Sequence, residues 1–283
     1  MAHRMQLKDR TAVITGAGSG IGRAIAGSLV RRGCNLALVD IDPGGLEETA
    51  SLVQTSGIRI SNHTVDVADR EAIASLPPAI WSRHGGADLL INNAGVALAG
   101  TFEQVTEEQF EWLIDINFGG MVRMTRAFLP LLRQSPDGRI VNLSSVFGII
   151  APPGQAAYAA SKFAVRGFSE ALRHELKGSN VSVTVVHPGG VATSIADKAR
   201  IAPTISSEEI EEMRAWSRRA LRLQPQAAGE AIVRGIERRA NRVLIGSDAI
   251  LVSAIARLMP VSYWKLLEAA FGRPAPRSNR QRA

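Results

Sequence analysis

The chain has 283 residues, 46% of them apolar, and a formal net charge of +7 with an isoelectric point near 10.3. That length buries one large core, and without a proline- or serine-rich linker or an internal repeat it reads as a single α/β domain. The positive charge lies partly in the tail, at Arg273, Arg277, Arg280 and Arg282, and no aromatic–basic motif of a nucleic-acid reader is present, so nucleic acid is not expected as a partner.

The first ten residues lack the apolar stretch of a secretory signal, and the apolar run at 249–256 is too short to span a bilayer. Cys34, the only cysteine, cannot form an intrachain disulfide and reads as a small buried hydrophobe. A cytoplasmic protein is expected.

Residues 11–15 are a short apolar run ending in glycines, the mark of a buried strand. Ile21, Ile25, Leu29 and Val30 then recur at helical spacing within 20–32. The alternation continues with a strand at 35–40, a helix near 43–55, a strand ending at Asp66 and a helix near 69–83. A strand at 87–91, a helix over 106–133, a strand at 139–143, a helix over 157–177 and strands at 181–186 and 242–246 follow. Apolar strands alternating with helices imply a parallel sheet covered on both faces and doubly wound.

Two stretches break this rhythm. Residues 194–224 are polar and partly helical, and read as a lid over the sheet's edge. After 249, Leu251, Ile255, Leu258, Trp264, Leu267 and Phe271 form an apolar stripe interrupted by Pro260. Three uses are open to it: a core or oligomer helix, a cover for a pocket, or a helix lying on a membrane surface. Residues 273–283 read as a basic, flexible tail.

The turn between the first strand and helix, T-G-A-G-S-G-I-G at 15–22, suits a phosphate. Glycine lets the backbone take positive φ and approach a ligand, and a helix N-terminus offers free N–H groups. The strict G-x-G-x-x-G pattern fails, because Ile21 occupies its last place; the spacing is T-G-x-x-x-G-x-G. Asp40 ends the second strand about 20 residues on, where an acid meets ribose hydroxyls and repels a 2′-phosphate. NAD is therefore favoured over NADP.

Tyr158 and Lys162 stand at i and i+4, on one face of a helix. A phenol loses its proton near pH ~10. A cation about 4 Å away, at an effective dielectric of about 20, contributes roughly 4 kcal/mol, so Lys162 is expected to lower the tyrosine's pKa. Ser145 closes the fifth strand, where it can donate a hydrogen bond to a substrate oxygen. Ser144 reads as structural. His63, His84, His174 and His187 read likewise, and no metal site is expected.

Together these residues resemble the short-chain dehydrogenase/reductase family in its common single-domain form, over about residues 7–246. The resemblance implies a single-domain, doubly wound Rossmann fold over 1–248. It would have a seven-stranded parallel sheet with helices on both faces, and a helical extension over 249–272. It implies that Gly16, Ser19, Gly20, Ile21 and Gly22 bind the cofactor together with Asp40 and Ile41. Asp66 and Val67 would border the adenine, and Asn93, Ala94 and Gly95 would lie beneath the cofactor. Pro188, Gly189, Val191 and Thr193 would adjoin the nicotinamide.

Asn117, Ser145, Tyr158 and Lys162 match the family's catalytic set, with Lys162 also holding the nicotinamide ribose and Asn117 anchoring a water. A homodimer or homotetramer built on the helices beginning near 106 and 157 is implied in the same way. The expected activity is hydride transfer between NAD and a hydrophobic secondary alcohol or ketone, with Tyr158 as general acid/base. Val96, Leu98, Phe147, Ile149 and Pro152 are expected to line the pocket. One alternative is an NADP-dependent carbonyl or 3-oxoacyl-thioester reductase, which Asp40 opposes. The other is a non-catalytic NAD-binding module, which need not keep the catalytic four.

Overall fold

The computed structural model describes residues 4–271. Its main sheet has seven strands: β1 (Thr11–Thr15), β2 (Asn35–Asp40), β3 (Ile60–Thr64), β4 (Leu89–Asn92), β5 (Gly138–Leu143), β6 (Val181–Pro188) and β7 (Arg242–Ile245). All are parallel, in the order β3-β2-β1-β4-β5-β6-β7, so the winding reverses between β1 and β4. This is a single-domain, Rossmann-like doubly wound fold.

Ten helices are described: α1 (Gly20–Val30), α2 (Pro43–Val53), α3 (Arg70–His84), α4 (Glu107–Ile114), α5 (Met121–Leu132), α6 (Ala156–Glu175), α7 (Ser207–Ala220), α8 (Pro225–Glu237), α9 (Ser247–Leu258) and α10 (Tyr263–Phe271). Every residue of β1, β4 and β5 is buried, which is why these strands read as unbroken runs rather than alternations. Successive residues serve opposite faces. Ala12 and Ile14 join the core beneath α1, α2 and α8, and Val13 joins the one beneath α3 and α5.

A buried polar ladder crosses the second face. Asn92 donates to Thr125 Oγ1 (3.1 Å) and to Asn142 Oδ1 (2.8 Å), and Asn142 donates to Ser169 Oγ (2.9 Å). It links β4 and β5 to α5 and α6.

Four features differ from the sequence expectation. The helix expected over 106–133 starts at a Thr106/Gln109 capping box but is divided by a π-helical turn, Asp115–Gly120, between α4 and α5. Helix α8 was not expected at all, although its stripe Ala228, Ile232, Val233 and Ile236 is wholly buried. Leu98–Ala99 pairs with Arg200–Ile201 as a second, two-stranded sheet.

The C-terminal stripe, fourth, does not form one face. The chain turns after Leu258, so Ile255, Trp264 and Leu267 pack towards Ile150 while Leu251 and Leu258 are exposed. Among the described residues no helix is long and apolar enough to cross a membrane. The arginine-bearing segment 273–283 lies outside the described residues.

Helix α8 packs closely on α1. A Cβ added at Gly229 would stand 2.6 Å from the carbonyl carbon of Ala24, whereas one at Gly27 would find its nearest neighbour at 3.7 Å. Gly229→Ala is expected to destabilise the fold by about 1–3 kcal/mol through this overpacking, and Gly27→Ala to be tolerated. Thermal denaturation of the two variants, side by side, measures the difference.

Candidate active site

Six strands (β1 to β6) end at one cavity of about 1380 Å³. It lies at the carboxyl ends of the sheet and spans the β1/β4 reversal, where open α/β sheets bind ligands. The expected residues divide between its two ends.

At one end is the glycine turn. Gly16 and Gly20 take positive φ (65° and 52°), which L side chains rarely adopt. Gly16, Ser19, Gly20 and Ile21 line the cavity; Gly22 does not. Gly22 acts from behind, because a Cβ there would stand 2.0 Å from the Gly16 carbonyl oxygen. Ser19 caps α1 without a side-chain hydrogen bond and the first turn holds no acidic residue, so its N–H groups and positive dipole end are left for a ligand.

The turn is braced from outside. Asn93 donates to the carbonyls of Thr15 and Gly16 (both 3.0 Å), and Thr49 donates to Ala17 (2.9 Å). Arg23 donates to the Gly18 carbonyl while its charge is met by Glu48 at 2.6 Å. Sequence reading missed Arg23, Glu48 and Thr49, whose pairings lie 25 or more residues apart. Asp40 accepts from the Gly18 N–H (2.8 Å) and the Asp42 N–H (3.1 Å), with Ile41, Asp66 and Val67 lining the wall beside it.

At the other end stand Ser145, Tyr158 and Lys162. Ser145 Oγ accepts from the Phe147 N–H at 3.1 Å, which leaves its own proton to be donated into the cavity, where the Tyr158 hydroxyl adjoins it. Lys162 Nζ lies 5.5 Å from the Tyr158 ring centroid and donates to the Leu143 carbonyl at 3.2 Å. Phe147 packs edge-on against Tyr158. Burial pushes Tyr158 up to about 12, opposed in part by the adjoining Ser145 side chain. The same loss of solvent pushes Lys162 down to about 8. The expected lowering of the phenol by the ammonium is thus not what this geometry gives: burial dominates, Ser145 rather than Lys162 opposes it, and both groups move towards their neutral forms.

Asn117, in the π-helical turn, is buried behind the wall rather than in it. It donates to the Val96 carbonyl (3.0 Å) and to Ser161 Oγ (3.1 Å) and accepts from the Val96 N–H (2.8 Å). Its side chain is therefore taken up by protein. Ser161 in turn donates to the Tyr158 carbonyl (2.7 Å), a brace the sequence reading missed although the residue adjoins Lys162. A Cβ at Gly95 would meet Asn117 Oδ1 at 3.0 Å and Lys162 Nζ at 3.4 Å, so both close over that backbone. Ser144 donates to the Lys162 carbonyl (2.8 Å), a structural use.

Ala94, Pro188, Gly189, Val191 and Thr193 also line the cavity, and Asp248 holds the segment by accepting from the Gly190 N–H (2.7 Å). Beyond Tyr158 the wall includes Val96, Leu98, Phe147 and Pro152 as expected, but Ile150 in place of Ile149. Helix α7 presents Ile210, Met213, Ser217 and Ala220 to the cavity at helical spacing, yet none of its residues is buried. Trp264 of α10 closes the far side, where the Tyr263 hydroxyl accepts from the Ala151 N–H (3.1 Å).

A family profile described as short chain dehydrogenase matches residues 10–203. The chain is 42% identical over 271 residues to a Mycobacterium tuberculosis protein named as oxidoreductase SadH, covering 95% of this chain and 98% of that one. Among solved structures it is similar to a short chain dehydrogenase/reductase from Burkholderia phymatum in complex with NAD: 28% identity, TM-score 0.83, 97% and 99% coverage. It is also similar to an alcohol dehydrogenase from Thermococcus sibiricus complexed with 5-hydroxy-NADP: 26% identity, TM-score 0.71, 83% and 95% coverage. The chain belongs to the short-chain dehydrogenase/reductase family, and is an oxidoreductase of that family.

Two buried histidines give the fold an acid-sensitive window. His187, on β6, shares a 2.9 Å hydrogen bond between Nδ1 and the Ser145 carbonyl. His84 meets Ser61 at 2.7 Å and faces Arg59, His63 and Arg83. Burial pushes both down to about 4 from 6.5. Between those values the unfolded chain binds more protons than the folded one, so stability rises with pH there and is lost on acidification. The melting temperature is expected to fall by a few degrees from pH 7.5 to pH 5, and less steeply in His187→Gln; identical slopes would exclude His187 as a contributor.

Proposed function

We propose that this protein is an NAD-dependent oxidoreductase that moves a hydride between nicotinamide and an apolar secondary alcohol or ketone. The observation that carries the reading is one continuous cavity, with an open helix N-terminus and Asp40 at one end and Ser145, Tyr158 and Lys162 at the other. The residues fit a dinucleotide: free first-turn N–H groups for the pyrophosphate, Asp40 for the ribose, and a glycine-lined floor. Gly16, Ser19, Gly20, Ile21, Asp40, Ile41, Asp66, Val67, Asn93, Ala94, Gly95, Pro188, Gly189, Val191 and Thr193 would hold it directly, with Gly22 shaping the turn from behind.

When bound, the nicotinamide supplies the hydride acceptor or donor. The protein supplies geometry and a proton. Ser145 orients the substrate oxygen with the proton its own oxygen retains. Tyr158 exchanges the proton of that oxygen. Lys162, fixed by the Leu143 carbonyl, stands beside the phenol with a pKa lowered towards neutrality. A phenol beside an amine and a phenolate beside an ammonium carry the same net charge, so the pair shifts a proton without changing the charge of the site. Asn117 positions the Val96 backbone and, through Ser161, the helix that carries Tyr158 and Lys162.

A homo-oligomer and a reducing, cytosolic setting belong to the same reading. Phe163, 39% exposed on α6, supports the first, and the lone buried Cys34 supports the second.

Tyr158→Phe is expected to lower turnover by about 10²–10⁴-fold while NAD binding, followed by calorimetry, stays unchanged; full activity in that variant would refute the assignment. For cofactor choice, Asp40 is expected to make NADP bind at least about tenfold more weakly than NAD. Parallel titrations of the wild type and Asp40→Ser, in which the gap narrows, check this. Equal affinities in the wild type would favour the NADP-dependent alternative.

A further inference from the structure

Resting on the oxidoreductase reading, the substrate end of the cavity carries a second chemical instruction. Three of the chain's four tryptophans (Trp112, Trp216 and Trp264) line it, each half-buried, rather than filling the cores. Arg200 lies with its guanidinium carbon 3.7 Å from the centroid of the Trp112 ring. Its backbone is held by the short strand pair: the Arg200 N–H donates to Ala97 (3.0 Å) and the Ala202 N–H to Ala99 (3.0 Å), while Gln109 Nε2 donates to Ile201 (3.3 Å).

Stacking occupies the face of a guanidinium and leaves its in-plane N–H donors free. Among the described residues no carboxylate lies within ion-pairing distance of Arg200, and its side chain makes no hydrogen bond. Nearby charges do not cancel it. Lys198, Arg214 and Arg219 line the same cavity, Arg214 being paired with Glu211 at 3.0 Å. The acids there are Asp197 and Asp248, the latter engaged by the Gly190 N–H.

Trp112 and Tyr158 pack on one small cluster around Leu98, Leu113 and Ala157, so the guanidinium stands over the patch that carries the tyrosine. We propose that Arg200 selects the substrate: an alcohol or ketone with an apolar body that ends in an anionic group such as a carboxylate. Trp112 holds the guanidinium flat so that its fork meets that group in two parallel hydrogen bonds.

The test uses (ω−1)-keto and (ω−1)-hydroxy carboxylic acids of about six to twelve carbons and their methyl esters. Calorimetric titration of the keto compounds into the NAD-loaded full chain, where neither partner carries a transferable hydride, reads binding without turnover. The acids are expected to bind about tenfold more tightly than the esters of equal length. Arg200→Gln should abolish that preference while leaving NAD affinity and melting temperature unchanged, and Arg200→Lys should restore part of it. Equal binding of acid and ester by the wild type, or a preference that survives Arg200→Gln, overturns the proposal.

Turnover of the hydroxy compounds separates the two readings. Arg200-dependent binding of acids with no NADH formation leaves this inference standing and removes the oxidoreductase reading. Oxidation of acids and esters alike does the reverse.

Discussion

The buried ladder from Thr125 through Asn92 and Asn142 to Ser169 sets the height of α6 on the sheet. Polar groups sealed from water must keep partners, and each left without one costs about 1–3 kcal/mol. A slip of α6 by one turn would strand Ser169 and Asn142 together, and would pull Ser161 away from Asn117 as well. One axial position makes all of these hydrogen bonds at once. Tyr158 and Lys162 ride on the same helix, and Ser145 follows three residues after Asn142, so the ladder also fixes the distance between the hydroxyl of the strand exit and the phenol of the helix. The site inherits its geometry from a network that touches no ligand.

The cavity's two ends differ in electrical character for structural reasons. At the glycine turn, positive potential comes from uncapped backbone N–H groups, and one carboxylate tempers it. At the tyrosine, Phe147, Leu143 and Gly95 form the wall, and the ionisable groups retreat from charge. A half-buried phenol and a buried amine, each displaced towards neutrality by desolvation, are poised for proton exchange in a way that neither would be in solvent.

What the amino-acid order disclosed was what it encodes locally. Strands β1, β2, β4 and β5 announced themselves because both faces are buried and the apolar runs are therefore unbroken. The glycine turn and the i, i+4 tyrosine–lysine pair depend on spacings of a few residues, and were legible for that reason. Contacts closed by the fold over long separations were not. Arg23 finds Glu48, Asn117 finds Ser161, and Arg200 finds Trp112 across 25, 44 and 88 positions. The two-residue strands at 98–99 and 200–201 are too short to show any period. Helix α8 was passed over because residues 225–237 carry Gly229 and Gly235, which weaken a helical reading yet permit the close packing on α1. The π-helical turn is a question of hydrogen-bond register, which composition does not record.

Helix α7 begins with a capping box and keeps its apolar stripe turned to an open chamber, without one residue locked into a core. Its contribution to holding the molecule together is correspondingly small. Mutations there are largely free of the folding constraint that governs β1 or α8, so this stretch can drift in sequence while the machinery beneath it stays fixed. A lineage of such proteins could acquire new substrates by rewriting about a dozen positions of α7, and the conserved chemistry would follow whichever molecule the new lining admits.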